Sequence, residues 1–224
     1  MGTGSVAMNE DCLTLNVFAP TADGSRASAS LPVLVWIHGG AFTNGTANAS
    51  WYDGSNLAAR SCVVVTINYR LGAFGFTGAD DVGLLDQLAA LQWVHANIGN
   101  FGGDAGNVTI FGQSVGASCV NTLMATPRAH KFFHRAIGQS GGSMVPLGRP
   151  GGGSMLRLDE AERIGLRVME SFGCRTIEEM RALPASDINL RWPRDPMARP
   201  FMVVDRAVIP EDRKSTRLNS SHRT

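Results

Sequence analysis

Cysteine is scarce and scattered: Cys12, Cys62, Cys119 and Cys174 are the only four in 224 residues, and no two are spaced C-x-x-C. That excludes the common zinc and dithiol spacings and a dense disulfide framework. Cys62 and Cys119 stand in apolar or small-residue runs, where buried free thiols are expected. Long apolar stretches are missing too. The longest, residues 31–37, stops at His38, far short of the ~18 residues that a membrane-spanning helix needs. Charge of one sign is also lacking, since 20 Lys and Arg face 19 Asp and Glu for a formal net charge of +1. No basic patch or basic amphipathic run points to nucleic acid or to a membrane surface. The N-terminus has no charged-then-apolar leader, and cytoplasmic and secreted settings both stay open.

What is present is an ordinary globular composition, 44% hydrophobic, in a length that fits one or two domains and buries roughly 70% of its unfolded surface. The 26 glycines fall in short clusters without collagen period, which reads as tight turns and close backbone approaches.

Apolar runs alternate with helical patterns and no internal repeat is found. Residues 13–18 (LTLNVF) alternate with period two; 31–37 and 62–67 (CVVVTI) are nearly continuous and β-branched, as strands buried on both faces are. Apolar positions 84, 85, 88, 91, 94 and 98 predict a helix ending before Gly99. A strand over 107–111, a small-residue helix over 115–124, a short strand over 135–138, a Gly/Pro loop over 141–153 and helices over 159–172 and 176–183 complete the reading. This is an α/β chain with a mostly parallel central sheet and helices on both faces.

The end of the chain is set apart. Residues 212–224 are polar and basic, without periodicity, and resemble the conceptual translation of a sequencing-library adapter. The expectation is a folded unit over 1–211 and a non-native tail over 212–224 that packs on nothing. Without it the charge balance turns slightly negative.

Chemistry concentrates in two glycine-rich segments. Gly112-Gln113-Ser114-Val115-Gly116 follows a predicted strand and opens a predicted helix, the setting of a nucleophile elbow that lifts the serine hydroxyl clear of the sheet. A second G-x-S-x-G, Gly138-Gln139-Ser140-Gly141-Gly142, runs into Pro and Gly that forbid a helix, so Ser140 is expected to be a structural turn residue. His38-Gly39-Gly40-Ala41-Phe42 closes an apolar strand with a loop whose N–H groups could bind a developing oxyanion; each such donor is worth about 2.7–4 kcal/mol in the transition state.

With Glu10-Asp11-Cys12-Leu13, Leu15-Asn16-Val17, Asn68-Tyr69-Arg70-Leu71-Gly72, GLLDQ from Gly83 and FGGD from Phe101, the chain resembles type-B carboxylesterases, the cholinesterase-like branch of the α/β-hydrolases, in order from Glu10 to about Glu211. The resemblance implies an α/β-hydrolase fold truncated before its C-terminal half. It makes Ser114 the acylated nucleophile and assigns the oxyanion donors to the N–H groups of Gly40, Ala41 and Val115. Gly39, Gly112, Gln113 and Gly116 support them, and Arg70 with Asp86 is a buried structural ion pair. Gln113 stands where the family more often has Glu, which disfavours a cationic choline ester. Val115 replaces the usual Ala and narrows the acyl site. Asp81 replaces a usual Asn with no clear functional consequence. Cys12 matches a cysteine that pairs further upstream in some relatives, and no disulfide is assigned here.

A serine needs a histidine to take its proton and a carboxylate to fix that histidine's tautomer, in the chain order Ser, acid, His for this fold. His38 and His95 precede Ser114; no Asp or Glu separates Ser114 from His130 or His134. The i,i+4 pair His130/His134 reads as a solvated helix face rather than a metal site. His222, with Asp205 or Glu211, fits the order but lies in the tail and is rejected. The acid and histidine are expected in a downstream half absent from this chain. Gly2-Thr3-Gly4-Ser5-Val6-Ala7 mimics a dinucleotide fingerprint but follows no strand, so no cofactor or metal is expected. Sequons at Asn44 and Asn48 fall in a polar loop, that at Asn107 opens a strand and is expected to be structural, and that at Asn219 belongs to the tail. The implied activity is hydrolysis of small, uncharged carboxylic esters through an acyl-enzyme, by a fragment inactive on its own. The alternatives are an adhesion-type relative that has lost the chemistry, or an amidase or thioesterase using the same machinery. Oligomeric state is not legible.

Overall fold

The computed structural model describes residues 8–20, 30–76, 81–141, 155–192, 201–205 and 208–209. Among these, five strands form one sheet: β1 (Leu15–Phe18), β2 (Leu31–Ile37), β3 (Val63–Ile67), β4 (Gly103–Gln113) and β5 (Arg135–Gln139), in the order β1-β3-β2-β4-β5. Only the β1–β3 pair is antiparallel; β3–β2, β2–β4 and β4–β5 are parallel. Side chains alternate across a pleated strand, and in β2 and β3 this sends Val33, Val35, Ile37, Val63, Val65 and Ile67 to one face, where all are fully buried.

That face is covered by α2 (Val82–Asn97) and α3 (Val115–Ala125). Helix α2 presents Leu84, Leu88, Leu91 and Val94, spaced three and four apart, to the same core as Val108, Ile110, Val120 and Leu123. On the opposite face the short α1 (Ser55–Ala58) brings Ala58 against Val64, Leu34 and Phe18. Trp36 there lies between Tyr52 and Phe111, with centroids 5.0 and 4.8 Å away. Helices on both faces and a mostly parallel sheet are thus observed.

Beyond the sheet, α4 (Leu158–Ser171), α5 (Ile177–Arg181) and α6 (Ala185–Arg191) surround a second cluster of Val168, Phe172, Cys174, Ile188 and Trp192. Four elements lacked a signal in the sequence: the four-residue α1, the seven-residue α6, and strands β6 (Met155–Arg157) and β7 (Met202–Val204), which pair in parallel 47 positions apart. The alternation of the two strands is tertiary: Met155, Met202 and Val204 join the main core, while Leu156 and Val203 face Ala161 of α4. Asp81, just before α2, is buried and accepts the Val203 N–H at 2.7 Å. This bond ties the start of α2 to β7. Residues 212–224, including Asn219 and His222, Glu211, the 2–7 segment and Gly142 lie outside the described residues.

Candidate active site

Strand β4 runs directly into α3, and the one residue between them is Ser114. Its backbone sits at φ 57°, ψ −126°, a conformation that costs a non-glycine residue of order 1–3 kcal/mol and persists only where surroundings enforce it. The enforcement is visible. The Ser114 N–H donates to the Gln139 carbonyl at 2.9 Å, and its own carbonyl accepts the Ser118 N–H at 3.1 Å. A Cβ on Gly116 would stand 2.2 Å from the Ile37 carbonyl oxygen, so the end of β2 and the first turn of α3 touch through backbone alone. The Ser114 side chain is half-buried and has no hydrogen-bond partner among the described residues.

The His38–Phe42 segment lies against this turn. A Cβ on Gly39 would be 3.2 Å from Ser114 Cβ and 2.7 Å from the Gln113 carbonyl oxygen. Gly40, Ala41 and Phe42 then take φ of 117°, 55° and 60°, a left-handed run that non-glycine residues enter at about 1–2 kcal/mol each. The curl closes on the Gly40 carbonyl, which accepts from Thr43 N at 3.0 Å and Asn44 N at 3.1 Å. It is anchored by Phe42, buried with its ring 4.2 Å from that of Phe76. Among the described residues, the N–H groups of Gly40, Ala41 and Val115 have no acceptor. The last is one of the unpaired donors that every helix N-terminus carries.

Beneath the loop, His38 and Tyr69 form a buried pair. The Tyr69 hydroxyl donates to the His38 carbonyl at 2.6 Å, and the rings stack at 4.5 Å with 20° between planes. His38 Nδ1 lies 2.8 Å from the Gly39 carbonyl; a carbonyl can only accept, so Nδ1 carries the proton. Burial lowers the His38 pKa and keeps the ring neutral. Fully enclosed and committed to Gly39, His38 is a scaffold group and not a base for Ser114.

The other histidines among the described residues lie elsewhere. His134 Nδ1 accepts the Val108 N–H at 3.1 Å, His130 Nε2 lies 3.0 Å from the Met124 carbonyl, and His95 meets the Phe132 ring. The expected helix under His130 and His134 is absent: Pro127 opens a single 3₁₀ turn at Pro127–Ala129 and the chain then bends into β5. Without helical spacing the pair does not share a face, and no cluster of three metal-ligating side chains occurs among the described residues. A cavity of about 430 Å³ lined by Gln92, Arg128, His130 and Lys131 opens at that end of α3, about 16 Å of helix from Ser114. It brings no nucleophile together with a base.

Ser140 sits in a turn next to Ser114. Parallel register aligns Gly112 with Gly138 and Gln113 with Gln139, so Ser114 and Ser140 leave adjacent strand ends side by side, and Ser140 also has positive φ, 51°. A Cβ on Gly141 would come 2.1 Å from the Ser114 carbonyl oxygen. The doubled Gly-Gln-Ser was the signal in the sequence. Arg70 and Asp86 form a two-pronged pair, Nε to Oδ2 at 2.8 Å and a terminal nitrogen to Oδ1 at 2.6 Å, and the Arg70 N–H adds a third bond at 3.0 Å. The hydrogen-bonded carboxylate raises the Arg70 pKa. Only Asp86 is fully buried; the Arg70 side chain is 40% exposed. Asp205 accepts the N–H groups of Val208 and Ile209. The four cysteines are free thiols, three of them buried, and burial pushes the Cys119 thiol up to about 12.

A mostly parallel sheet in which β4, paired on both sides, ends on a positive-φ serine ahead of a helix defines the α/β-hydrolase class. Within it, the chain belongs to the carboxylesterase family, whose family model matches residues 1–222. It is 51% identical over 144 residues to the para-nitrobenzyl esterase of Bacillus subtilis, covering 60% of this chain and 29% of that protein. It is 38% identical over 213 residues to the fumonisin B1 esterase of Sphingopyxis macrogoltabida, covering 89% of this chain and 36% of that protein. A crystal structure of a Geobacillus stearothermophilus carboxylesterase superposes with a TM-score of 0.78 at 35% identity, over 99% of this chain and 47% of that one. The chain thus spans about a third of such curated relatives and about half of that solved one. No helix among the described residues is long and apolar enough to cross a membrane.

Proposed function

We propose that the protein to which this chain belongs is a serine carboxylesterase acting on small, uncharged carboxylic esters. The observation that carries the reading is the strained backbone of Ser114, φ 57° and ψ −126°, between β4 and α3, beside a loop whose N–H groups have no acceptor among the described residues. A fold maintains such strain where a side chain must be presented at a fixed place.

In this reading Ser114 Oγ attacks the ester carbonyl carbon while its proton passes to a histidine. The carbonyl oxygen becomes an oxyanion held by the N–H groups of Gly40, Ala41 and Val115. Collapse breaks the carbon–oxygen bond to the alcohol, which leaves with the proton, and water then releases the acid from the acyl-enzyme. No histidine among the described residues reaches Ser114, so the base and its carboxylate are assigned to a part of the protein outside this chain. The chain alone should be inactive, and residues 212–224 are read from their sequence as a non-native tail. Gln113, exposed beside the serine, adds no negative charge, in keeping with an uncharged substrate, and the β-branched Val115 limits the acyl group.

The test is turnover of a short-chain p-nitrophenyl ester by a protein of family length carrying this segment. Ser114→Ala should abolish release of p-nitrophenol with the circular dichroism unchanged. Activity retained in that variant but lost in Ser140→Ala would transfer the nucleophile to the second elbow.

A further inference from the structure

The oxyanion loop contains the chain's single Asn-Gly pair, Asn44-Gly45. From its geometry we infer that Asn44 is a site of spontaneous deamidation whose conversion disarms the loop. The effect on activity rests on the esterase reading above; the modification itself does not.

Succinimide formation needs a following residue without a side chain to shield the asparagine amide carbon, and a main-chain nitrogen free to attack. Both conditions are met. Asn44 and Gly45 are exposed, and among the described residues the Gly45 N–H has no acceptor. Nor can the fold replace Gly45. Its φ is 124°, and a Cβ there would stand 2.3 Å from His38 Nδ1 and 2.7 Å from the Gly39 carbonyl oxygen. The buried His38–Tyr69 pair therefore requires the residue that makes Asn44 labile.

The chemistry needs only water. Gly45 N, giving its proton to hydroxide, bonds to Asn44 Cγ; the Cγ–Nδ2 bond breaks and the amide nitrogen, taking a proton from water and so returning the hydroxide, leaves as ammonia, closing a succinimide. Water then opens either ring carbonyl, with the ring nitrogen taking a proton, to give aspartate or isoaspartate. No oxidant or reductant takes part.

The coupling to the loop is written in hydrogen bonds. Asn44 Nδ2 donates to Thr43 Oγ1 at 3.3 Å, and Thr43 Oγ1 donates to the Gly40 carbonyl at 3.2 Å. A carboxylate at position 44 has no proton to give, so the Thr43 hydroxyl turns its proton toward it and leaves Gly40. An isoaspartate also lengthens the main chain by one carbon between the Gly40-capping N–H of Asn44 and the fixed seat of Gly45. Both changes displace the Gly40 and Ala41 donors, and the new negative charge opposes an oxyanion beside them.

The experiment ages a protein of family length carrying this segment at mildly alkaline pH, with peptide mapping by mass spectrometry, isoaspartyl methyltransferase labelling and ester turnover followed together. Asn44 should lose its amide ahead of Asn97, Asn100 and Asn107. Activity should fall in step, with the fully converted enzyme at least about tenfold slower, as loss of an oxyanion donor implies. Asn44→Gln, whose six-membered ring closes far more slowly, should hold its own starting activity. An Asn44 that keeps its amide, carries a glycan in its place, or converts without loss of turnover overturns the proposal. If instead Ser114→Ala leaves turnover intact, the esterase site is misassigned, while the peptide map still decides the chemistry of Asn44.

Discussion

Replacing Gly116 by alanine sets two effects of opposite sign against each other. Gly116 lies in the first turn of α3, where alanine would normally gain about 0.8–1.0 kcal/mol of helix propensity. The added methyl, however, would stand 2.2 Å from the Ile37 carbonyl oxygen and 2.8 Å from that of His38. Ordinary contact begins at 3.4 Å, so β2 and α3 must separate by more than an ångström. These are backbone atoms; Ile37 is paired in register with Gly112 in the sheet and cannot swing aside as a side chain would. Overpacking of side chains alone costs about 1–3 kcal/mol, and the rigid partner puts this case at the upper end. The expected net effect is a destabilisation of about 1–2 kcal/mol, and a larger proportional loss of turnover because the same shift moves Gly39 and Ser114 apart. Gly99→Ala is the matched control: nothing lies within 4 Å of its added Cβ, and its effect should stay within about 0.5 kcal/mol. Urea unfolding of a protein of family length would show a lowered midpoint at unchanged slope for Gly116→Ala only. A Gly116→Ala protein as stable as its parent would refute the close-packed elbow.

Two further outcomes follow from the buried pair under the loop. Tyr69→Phe keeps the stack on His38 and removes only the 2.6 Å hydroxyl bond; thermal or urea unfolding should show a loss of about 1–3 kcal/mol, with kcat lowered more than KM is changed. An unchanged unfolding midpoint would mean the bond holds nothing. The second is a pH effect. Burial lowers the His38 pKa in the folded chain, so below the ordinary histidine value of about 6.5 the unfolded state takes up a proton that the native state refuses. Stability should be full above that pH and decline as pH falls below it, down to the native pKa of His38. His38→Asn should flatten that decline, and an equal slope in the variant would place the titration elsewhere.

The sequence by itself determined the parts whose information is local. The β-branched runs of β2 and β3, the three- and four-residue apolar spacing of α2, and the strand–serine–helix order around Ser114 each lie within a window of a dozen residues, and β2 begins and ends where its pattern does. Elements without such a window were invisible. Strands β6 and β7 have three residues each, too few for a period, and exist because their N–H and C=O groups find each other across 47 positions. The same holds for Asp81, whose partner Val203 is 122 residues away. Histidines 130 and 134 had the right spacing for one helix face, but Pro127 and the turn into β5 gave the backbone another course. At the candidate site, sequence pointed to Ser114 and the glycine loop. Only the tertiary structure made Ser140 its neighbour, through the Gly112–Gly138 register, and held Ala41 and Phe42 at positive φ. Register and strain are properties of what the chain packs against: the energy that fixes them comes from backbone groups on other strands, and no local pattern of side chains records it.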